Sequence, residues 1–365
     1  MEEKYSGTVI QKSWFVYFRK YISRILGYEV RQNIKRILAV IIGNPHARLE
    51  NNYINRKLKT NALPLEIVID SINLCNLRCP LCKTGVHELN RPLLKMELDN
   101  FKDILDKIEF SQTIYLIKWG EAFLHPNIFE MIKLCKKRGK KVHLNSNFTT
   151  VKDEHLEKII DSALDELVIS LDGVSQETYV KYRVGGQFEM AFGNMVKLVQ
   201  LKEKKKANTP YILWKFLVNR YNEHEVEKAK QLADDNGIEI KFAPIYLNDV
   251  SADDDGQYDM KVAKEWLPKD NKYFYDSRLT PIIEDACPHL WKYPVIQSDG
   301  GISPCCHVTS KEHDFGNLLE GSYSSFHDIW NNEKYQYSRS LFTNEKYDGK
   351  NKGSICDTCR IYRKD

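Results

Sequence analysis

The sequence predicts an α/β protein built from repeated strand–helix units. Six short apolar runs have the character of strands, and helix-like segments at 96–107, 127–138 and 188–206 lie between them. The six runs are LEIVID (65–70), TIYLIKW (113–119), KVHLNSN (141–147), ELVISLDG (166–173), YILWKFLV (211–218) and IEIKFAPI (238–245). Such alternation predicts a parallel sheet with helices on its outer face, curled into a full or partial barrel.

A helical extension is predicted ahead of the barrel. Over residues 14–42 apolar and basic side chains recur with helical spacing, and Gly43-Asn44-Pro45 supplies a stop. Residues 1–60 hold 12 Lys/Arg against 4 Asp/Glu and so have a formal charge of +8. The whole chain has a formal charge of +4, so the remaining residues have a net charge of −4. We therefore expect a basic amphipathic extension over residues 1–61.

Two interpretations of this extension stay open. Its apolar face can pack on the barrel, or it can lie at the surface of an anionic membrane. The face is formed by Trp14, Phe15, Phe18, Ile22, Ile25 and Leu26, with Arg19, Lys20, Arg24, Arg31, Lys35 and Arg36 around it. Nucleic acid is not expected as a partner, because the rest of the chain is net acidic and carries no recognition motif.

Composition and length indicate a cytoplasmic globular protein. The 365 residues suffice for a barrel and a smaller second domain, and 42% hydrophobic with 28% charged residues is ordinary. The start, MEEKYSGTVI, lacks signal-peptide features, and no apolar run reaches the roughly 18 to 20 residues of a spanning helix. A peripheral position at the inner membrane face follows only from the second interpretation of the extension. Nine cysteines in a reducing compartment point to metal binding rather than disulfides.

The segment INLCNLRCPLCKTG (72–85) concentrates three of these cysteines in one loop. Cys75, Cys79 and Cys82 have C-x3-C-x2-C spacing, so three thiolates can converge while a fourth ligand position stays open. Structural zinc usually takes four ligands in C-x2-C pairs and fits this loop less well. A [4Fe–4S] cluster with one open iron fits better, and Cys135, alone in a predicted helix, is expected to be a core residue.

The chain at this point resembles the radical SAM superfamily, whose members carry C-x3-C-x2-C after the first barrel strand. The resemblance covers residues 62–246 and implies a partial (β/α)6 TIM-like barrel. It implies that a [4Fe–4S] cluster on Cys75, Cys79 and Cys82 binds S-adenosylmethionine (SAM) through its open iron. WGEAFLHP is similar to the family's Gly-Gly-Glu motif, with Gly120 and Glu121 matched, and implies that Glu121 accepts a hydrogen bond from the SAM ammonium.

Two further segments at strand ends extend the resemblance. LNSNFT is similar to the third-strand Thr-Asn-Gly segment, with Ser146 and Asn147 matched. VISLDGVSQETYVKYR is similar to the Ser-x-Asp-Gly stretch, which implies Ser170 and Asp172 near the SAM ribose or carboxylate and Arg183 as a carboxylate partner. Ligand sites of parallel barrels gather at the carboxyl ends of strands, where all these segments fall.

The remaining cysteines resemble the SPASM/twitch extension of these enzymes. The signature C-x(9–15)-G-x4-C matches Cys287, Gly300 and Cys305, and Cys356 with Cys359 supplies a later C-x2-C. Cys306 competes with Cys305, which satisfies the glycine spacing, and a four-thiol zinc site is the alternative. No cysteine follows Cys359, so one auxiliary [4Fe–4S] cluster is expected. The acidic, polar stretch 247–280 is the predicted linker, and residues 281–365 form the predicted auxiliary domain.

The resemblance implies an enzyme that reductively cleaves SAM to a 5′-deoxyadenosyl radical and abstracts a substrate hydrogen, with electrons from a flavodoxin or ferredoxin-type donor. With an auxiliary cluster as electron acceptor, we expect oxidation of a small-molecule or sugar-type substrate. Lys215 on the fifth strand is the candidate base. A peptide-modifying enzyme that forms thioethers, C–C bonds or epimers is the alternative, and a non-catalytic iron–sulfur electron carrier is a third.

Overall fold

The computed structural model describes residues 44–245, 265–270, 272, 287–321, 323, 325–350 and 353–359. The predicted N-terminal helix at 14–42 and most of the predicted linker at 247–280 lie outside these residues. Within them, the fold is an α/β sheet with helices on its outer face.

All six predicted strands are present and parallel. They are β1 Glu66–Ile69, β2 Thr113–Leu116, β3 Lys141–Ser146, β4 Glu166–Ser170, β5 Tyr211–Val218 and β6 Glu239–Pro244. Each pairs with the next in chain order, as expected for successive strand–helix units. Within the described part of the chain the sheet does not close, so the barrel is partial.

The predicted helices are also found. The described α-helices are α1 Pro45–Ile54, α2 Leu98–Lys107, α3 Ile128–Lys137, α4 Asp153–Asp161, α5 Gln176–Tyr182, α6 Phe188–Lys204, α7 Val226–Asp235, α8 Phe326–Trp330 and α9 Glu333–Ser340. Helices α2, α3 and α6 start within two residues of the predicted positions. Cys135 is buried in α3 as a core residue.

The strands alternate between a face under the helices and a concave inner face. In β5, Trp214 and Phe216 are fully buried in the hydrophobic core with the helices. Lys215 and Leu217 occupy the alternate positions of the strand and therefore face the concave side. This alternation decides which side chains can line a site inside the partial barrel.

The C-terminal domain continues the barrel sheet. Strand β7 (Val295–Ile296) pairs with β1 in parallel, and β8 (Gly301–Ser303) and β9 (Gly316–Asn317) follow it in antiparallel order. The N–H of Asp70 donates to the Ile296 carbonyl at 2.8 Å. The pairing of β7 with β1, which joins the two predicted domains in one sheet, was not predicted from the sequence.

Arg91 locks the two domains together. Its side chain is 2% exposed and forms a two-pronged ion pair with Asp314. It also donates to the Ser310 carbonyl oxygen at 3.0 Å. A buried ion pair of this geometry fixes orientation, because loss of either partner leaves an uncompensated charge.

The described part of the extension packs on the C-terminal domain. Asn44 caps α1 by accepting from the His46 N–H, so the predicted stop at 43–45 is also the start of a helix. Trp291 donates to the Lys57 carbonyl at 3.0 Å and Trp330 to the Ala62 carbonyl at 3.3 Å. Among the described residues, no helix is both long and apolar enough to cross a membrane.

Candidate active site

The loop after β1 brings the first three cysteines together. Cys79 is buried, and Cys75 and Cys82 are half-buried. The Leu77 N–H donates to Cys75 Sγ at 3.4 Å, and the Cys82 N–H donates to the Cys79 carbonyl at 3.2 Å. A Cβ on Gly85 would lie 2.3 Å from the Cys79 carbonyl oxygen, so this close approach requires glycine.

Two side chains from outside the loop lie near these thiols, Asn147 just after β3 and Arg183 at the end of α5. Asn147 Nδ2 lies 3.8 Å from Cys75 Sγ, and Arg183 Nη1 lies 3.9 Å from Cys79 Sγ. Burial raises the pKa of the Cys79 thiol to about 12 and also raises that of Cys75. Metal ligation needs thiolates, so a strongly cationic group must stabilise them here. Three buried thiols with polar donors fit an iron–sulfur cluster.

Gly120 and Glu121 lie against the cysteine loop at the end of β2. A Cβ on Gly120 would lie 2.0 Å from the Ile72 carbonyl oxygen, so no other residue fits there. The Glu121 N–H donates to the Leu74 carbonyl at 2.8 Å. Trp119 stands in place of the family's first glycine, and the backbone still brings Glu121 to the loop.

The Glu121 carboxylate is 2% exposed and joins the second and third strand ends. It accepts hydrogen bonds from Ser146 Oγ at 2.7 Å, from the Asn147 N–H at 2.7 Å and from the Phe123 N–H at 3.2 Å. Burial raises its pKa, and these hydrogen bonds oppose the rise. The structure thus brings Glu121, Ser146 and Asn147 together beside the thiols, as expected from their motifs.

Asp172 and Arg183 form an ion pair beside the same loop. Asp172 is fully buried and binds Arg183 Nε, and its other oxygen accepts from the Leu217 N–H at 2.7 Å. From the resemblance, each of the two residues was expected to contact SAM by itself. In the structure the carboxylate of Asp172 holds the guanidinium, which extends Nη1 to Cys79.

Ser170 and Lys215 are neighbours in register across β4 and β5. Burial lowers the pKa of Lys215, and Asp172 opposes this. Lys215 therefore lies near the Asp172–Arg183 pair, on the concave face, at the same end of the sheet as the cysteine loop.

The four predicted auxiliary cysteines come together in the C-terminal domain. The Cys305 thiol is coupled electrostatically to Cys306, Cys287 and Cys356, and Cys287 is coupled to Cys359. Burial raises the pKa of Cys287 and Cys305, and raises that of Cys356 to about 11. Cys287 and Cys356 contribute to the shift of Cys305, and Cys306 lines a cavity.

Neither thiol cluster surrounds a single metal ion. Over the described ranges, no three His, Cys, Asp or Glu side chains are arranged to hold one ion. The thiolates of a [4Fe–4S] cluster bind different iron atoms, so they need no single point of convergence.

Two buried hydroxyl groups without partners in the described part of the chain indicate whether SAM and the clusters fit the residues around the thiols. Tyr179 OH and Tyr335 OH have no hydrogen-bond partner among the described residues. Tyr179 is coupled electrostatically to Arg183 and Cys79, and Tyr335 to Cys305. Buried polar groups are almost always hydrogen-bonded, so each orphaned hydroxyl is a donor that SAM or a cluster can satisfy. The residues present therefore fit both groups.

A cavity of about 610 Å³ lies between the concave face and the C-terminal domain. It is lined by Glu66, Val68, Tyr115, Ile117, Lys118, Trp119, Gly120, Asn145, His289, Tyr293, Val295, Cys306 and His307. Its volume is in the usual range for small-molecule sites. Gly120 marks the side of the SAM motif, and Cys306 marks the side of the auxiliary cysteines.

Two charged groups at or near this cavity were not predicted from the sequence, the buried carboxylate of Asp70 and the half-buried amine of Lys118. Burial raises the pKa of Asp70 to about 6 and lowers that of Lys118 to about 8, and each group opposes the shift of the other. Lys118 Nζ donates to the Val308 carbonyl at 3.0 Å. No local pattern distinguishes Lys118 from a strand-end lysine, because the C-terminal domain buries it.

A polar network on the inner face was missed as well. Tyr115 OH donates to Glu66 at 2.8 Å, the Tyr115 and His143 rings lie 4.8 Å apart, and His143 Nδ1 lies 3.2 Å from Glu166. These four residues come from four successive strands. Their common inward parity was a readable signal, since Glu66, Tyr115 and His143 each lie between two apolar residues, and Glu166 begins the apolar run of β4.

Comparison with known proteins agrees with this architecture. The radical SAM superfamily model matches residues 69–233, and the SPASM iron–sulfur cluster-binding domain model matches residues 287–360. The chain belongs to the radical SAM superfamily and carries a C-terminal SPASM domain. SAM, a [4Fe–4S] cluster and auxiliary iron–sulfur binding are therefore confirmed as its cofactors, and the number of auxiliary clusters stays a prediction.

Three relatives illustrate the range of the family. A tungsten-containing aldehyde ferredoxin oxidoreductase cofactor-modifying protein of Pyrococcus furiosus is 24% identical over 326 residues, covering 80% of this chain and 88% of its own length. The antilisterial bacteriocin subtilosin biosynthesis protein AlbA of Bacillus subtilis is 24% identical over 299 residues, covering 76% of this chain and 63% of AlbA. The fold matches Streptococcus suis SuiB bound to S-adenosylmethionine with a TM-score of 0.60 at 16% identity, covering 87% of this chain and 75% of SuiB.

Proposed function

We propose that this radical SAM/SPASM enzyme oxidises a small-molecule or sugar-type substrate by two electrons, as in the conversion of an alcohol to a ketone. When bound, SAM and its cluster supply the 5′-deoxyadenosyl radical that takes one hydrogen atom, and the auxiliary cluster supplies an acceptor for one electron. The second hydrogen leaves as a proton, which a side chain must accept. The input electron comes from a flavodoxin or ferredoxin-type donor.

The position of the cavity is the observation that carries this proposal. Gly120, of the SAM motif, lines one side, and Cys306, next to the auxiliary ligand candidate Cys305, lines the other. A substrate in the cavity would lie between the site of hydrogen abstraction and the electron acceptor. The volume of about 610 Å³ suits one sugar-sized molecule rather than a folded peptide segment.

The cavity wall supports a hydroxyl- or amine-bearing substrate. Glu66 and Tyr115 present a carboxylate and a phenol at the end of the cavity away from Gly120, and Tyr293 adds an aromatic surface. A carboxylate accepts hydrogen bonds from hydroxyl and ammonium groups, and aromatic rings cover apolar sugar faces. Such a wall would orient the molecule so that one C–H faces the SAM side.

Lys118 is better placed than Lys215 to accept the proton. Lys118 lines the cavity, whereas Lys215 lies by the Asp172–Arg183 pair and is not among the described lining residues. Burial lowers the pKa of Lys118 to about 8, so about a tenth of the amine is neutral at pH 7 and about half at pH 8. We retain Lys215 as the alternative base.

Peptide modification is the second candidate function. It is supported by the similarity to AlbA, whose name places it in bacteriocin biosynthesis. The similarity to the cofactor-modifying protein extends over more of the chain and favours a small molecule. Both relatives are distant, so the substrate needs a direct test.

The test is 5′-deoxyadenosine release by anaerobically reconstituted protein with SAM and dithionite. Panels of sugars, amino sugars and cyclitols are compared with synthetic peptides, and the Cys75→Ala/Cys79→Ala/Cys82→Ala variant is the control. We expect a polyhydroxylated compound to raise 5′-deoxyadenosine above the uncoupled background and to yield one equivalent of product lighter by two hydrogens. Stimulation by peptides alone would contradict the small-molecule proposal and leave the peptide function.

The basic extension supports a second proposal, which concerns location. The residues 14–42 lie outside the described part of the chain, and their basic, amphipathic pattern supports contact with anionic lipid. Co-sedimentation with phosphatidylserine-containing vesicles should occur at low salt, weaken at high salt and disappear when residues 1–45 are deleted. If the protein stays in the supernatant at low salt, the membrane interpretation is wrong, and the interpretation that the apolar face packs on the barrel remains.

A further inference from the structure

The unpartnered hydroxyl of Tyr335 belongs to a helix that packs against two of the auxiliary cysteine segments. Tyr335 is on α9 and is fully buried, and its OH has no hydrogen-bond partner among the described residues. The buried face of α9 also carries Ser338, whose Oγ donates to Ser354 Oγ at 2.8 Å, and Ser354 Oγ accepts from the Cys356 N–H at 3.2 Å. On the same face Arg339 donates to the Leu290 carbonyl at 2.9 Å, three residues after Cys287. A buried O–H without a protein acceptor on a helix face that contacts both segments is a candidate donor to the cluster that they would hold.

Packing holds the Tyr335 ring in one orientation. The Trp330 ring centroid lies 4.6 Å away, and the Phe315 ring packs edge-on at 4.8 Å. The Arg339 guanidinium lies 5.1 Å from the ring centroid, and the Tyr335 N–H donates to Asn332 Oδ1 at 3.0 Å. With both the backbone and the ring fixed on several sides, the direction of the O–H bond is restricted to rotation about its C–O axis.

The phenol is built to donate rather than to ionise. Burial raises the pKa of Tyr335 far above its ordinary value, although the nearby Arg339 cation opposes this. A phenol has an ordinary pKa of about 10, so near neutral pH it is uncharged and has one O–H to donate. In a purely structural role, phenylalanine would fill the same space without leaving a buried hydroxyl unpaired.

We propose that Tyr335 donates a hydrogen bond from its hydroxyl to a sulfur of the auxiliary iron–sulfur cluster and thereby raises the reduction potential of that cluster. Hydrogen bonds to cluster sulfurs stabilise the more negative, reduced form and are among the factors that set cluster potentials. Tyr335 is thus a tuning residue and touches no substrate. The proposal rests on the ligand set Cys287, Cys305, Cys356 and Cys359 and is independent of the proposed substrate.

The test is an EPR-monitored redox titration of the full-length, reconstituted protein with and without SAM. Signals that SAM changes belong to the barrel cluster, and the unaffected signal reports the auxiliary cluster. In Tyr335→Phe we expect the midpoint potential of the auxiliary cluster to become more negative. The expected shift is up to about 59 mV, which for one electron is a tenfold change in the ratio of reduced to oxidised cluster at a fixed potential. The barrel cluster should keep its midpoint.

Tyr347→Phe is the matched control, because Tyr347 belongs to the same domain and its hydroxyl donates to the Glu333 carbonyl instead. An unchanged auxiliary midpoint in Tyr335→Phe with full iron content would overturn the proposal. If Tyr335→Phe loses the cluster, site-specific replacement of Tyr335 by 3-fluorotyrosine decides the matter, because it keeps the ring and makes the hydroxyl a stronger donor. We expect the auxiliary midpoint to move to more positive potential, and an unchanged midpoint would equally overturn the proposal. Neither result bears on which substrate is oxidised.

Discussion

The two thiol clusters of this enzyme differ in how the chain builds them. Cys75, Cys79 and Cys82 lie within eight residues of one loop, where Gly85 approaches the Cys79 carbonyl and Gly120 approaches the carbonyls of Ile72 and Leu74. The auxiliary cysteines come from three segments between residues 287 and 359, which the sheet, α9 and the Arg91 ion pair bring together. One site is local, and the other depends on the whole domain.

Their surroundings differ in the same sense. Beside the barrel thiols lie Glu121, Asn147 and Asp172, which follow three other strands, and Arg183 at the end of α5. Beside the auxiliary thiols lie aromatic rings and the hydroxyls of Ser338 and Ser354. The first environment suits an exchangeable, zwitterionic ligand at an open iron, and the second suits a cluster closed by thiolates that only passes electrons.

Removing the barrel thiols should give the largest effect. We expect the unmodified, reconstituted protein to hold about eight irons, and Cys75→Ala/Cys79→Ala/Cys82→Ala to hold about four. The variant should release no 5′-deoxyadenosine, because no other group in the proposed site can deliver the electron to SAM. Iron and 5′-deoxyadenosine assays check both statements. An unmodified protein with about four irons and bound zinc would show that the auxiliary site holds zinc instead.

Single changes at the auxiliary site should separate Cys305 from Cys306. Cys305→Ala should lose about four irons and the oxidised product while keeping uncoupled SAM cleavage, because its thiol is coupled to the other auxiliary thiols. Cys306→Ala should keep its iron, since Cys306 lines the cavity. The reverse pattern of iron loss in the two variants would exchange their roles.

The thiol site of the barrel, which lies in one loop, could be predicted from the sequence. The auxiliary site, whose residues come from several segments, could be predicted only in part. The strands were predicted because apolar alternation is a local property, and the thiol loop because its spacing is contiguous. Strand β7 has two residues, too few for any periodicity, so the continuation of the sheet through Val295–Ile296 was invisible. The burial of Lys118 depends on Val308, which is 190 residues away in sequence. Tertiary packing alone creates such features.

Lys118→Met tests whether the space between the two clusters contains the proton acceptor. Loss of a general base lowers a rate by about 10²- to 10⁴-fold, so product formation should fall by that range while 5′-deoxyadenosine release becomes uncoupled from product. Because the pKa of Lys118 is lowered to about 8, the unmodified enzyme should gain activity as the pH rises through 8, where the amine loses its proton. Lys215→Met is the matched variant, and a larger loss there would restore Lys215 as the base.

Glu121→Ala should give a smaller effect confined to the barrel site. If the carboxylate accepts a hydrogen bond from the SAM ammonium, its loss removes a charge-assisted interaction of about 1.5 to 3 kcal/mol, or roughly 10- to 150-fold in SAM affinity. Since burial raises the pKa of Glu121, SAM binding should weaken on acidification at a higher pH than an exposed glutamate would cause. Equilibrium binding of SAM to the oxidised protein measures both, with iron content as the check on folding.

Glu225→Ala supplies the control for this last change. Glu225 is also a buried carboxylate and accepts from the Val174 N–H at 3.0 Å and from Thr178 Oγ1 at 2.7 Å, but its partners lie at the start of α5 rather than at the thiols. If the two variants lose SAM affinity equally, the effect is general loosening of the strand ends. If only Glu121→Ala loses it, the carboxylate acts on SAM itself, and the polar surroundings of the barrel thiols have the role that distinguishes them from the auxiliary cluster.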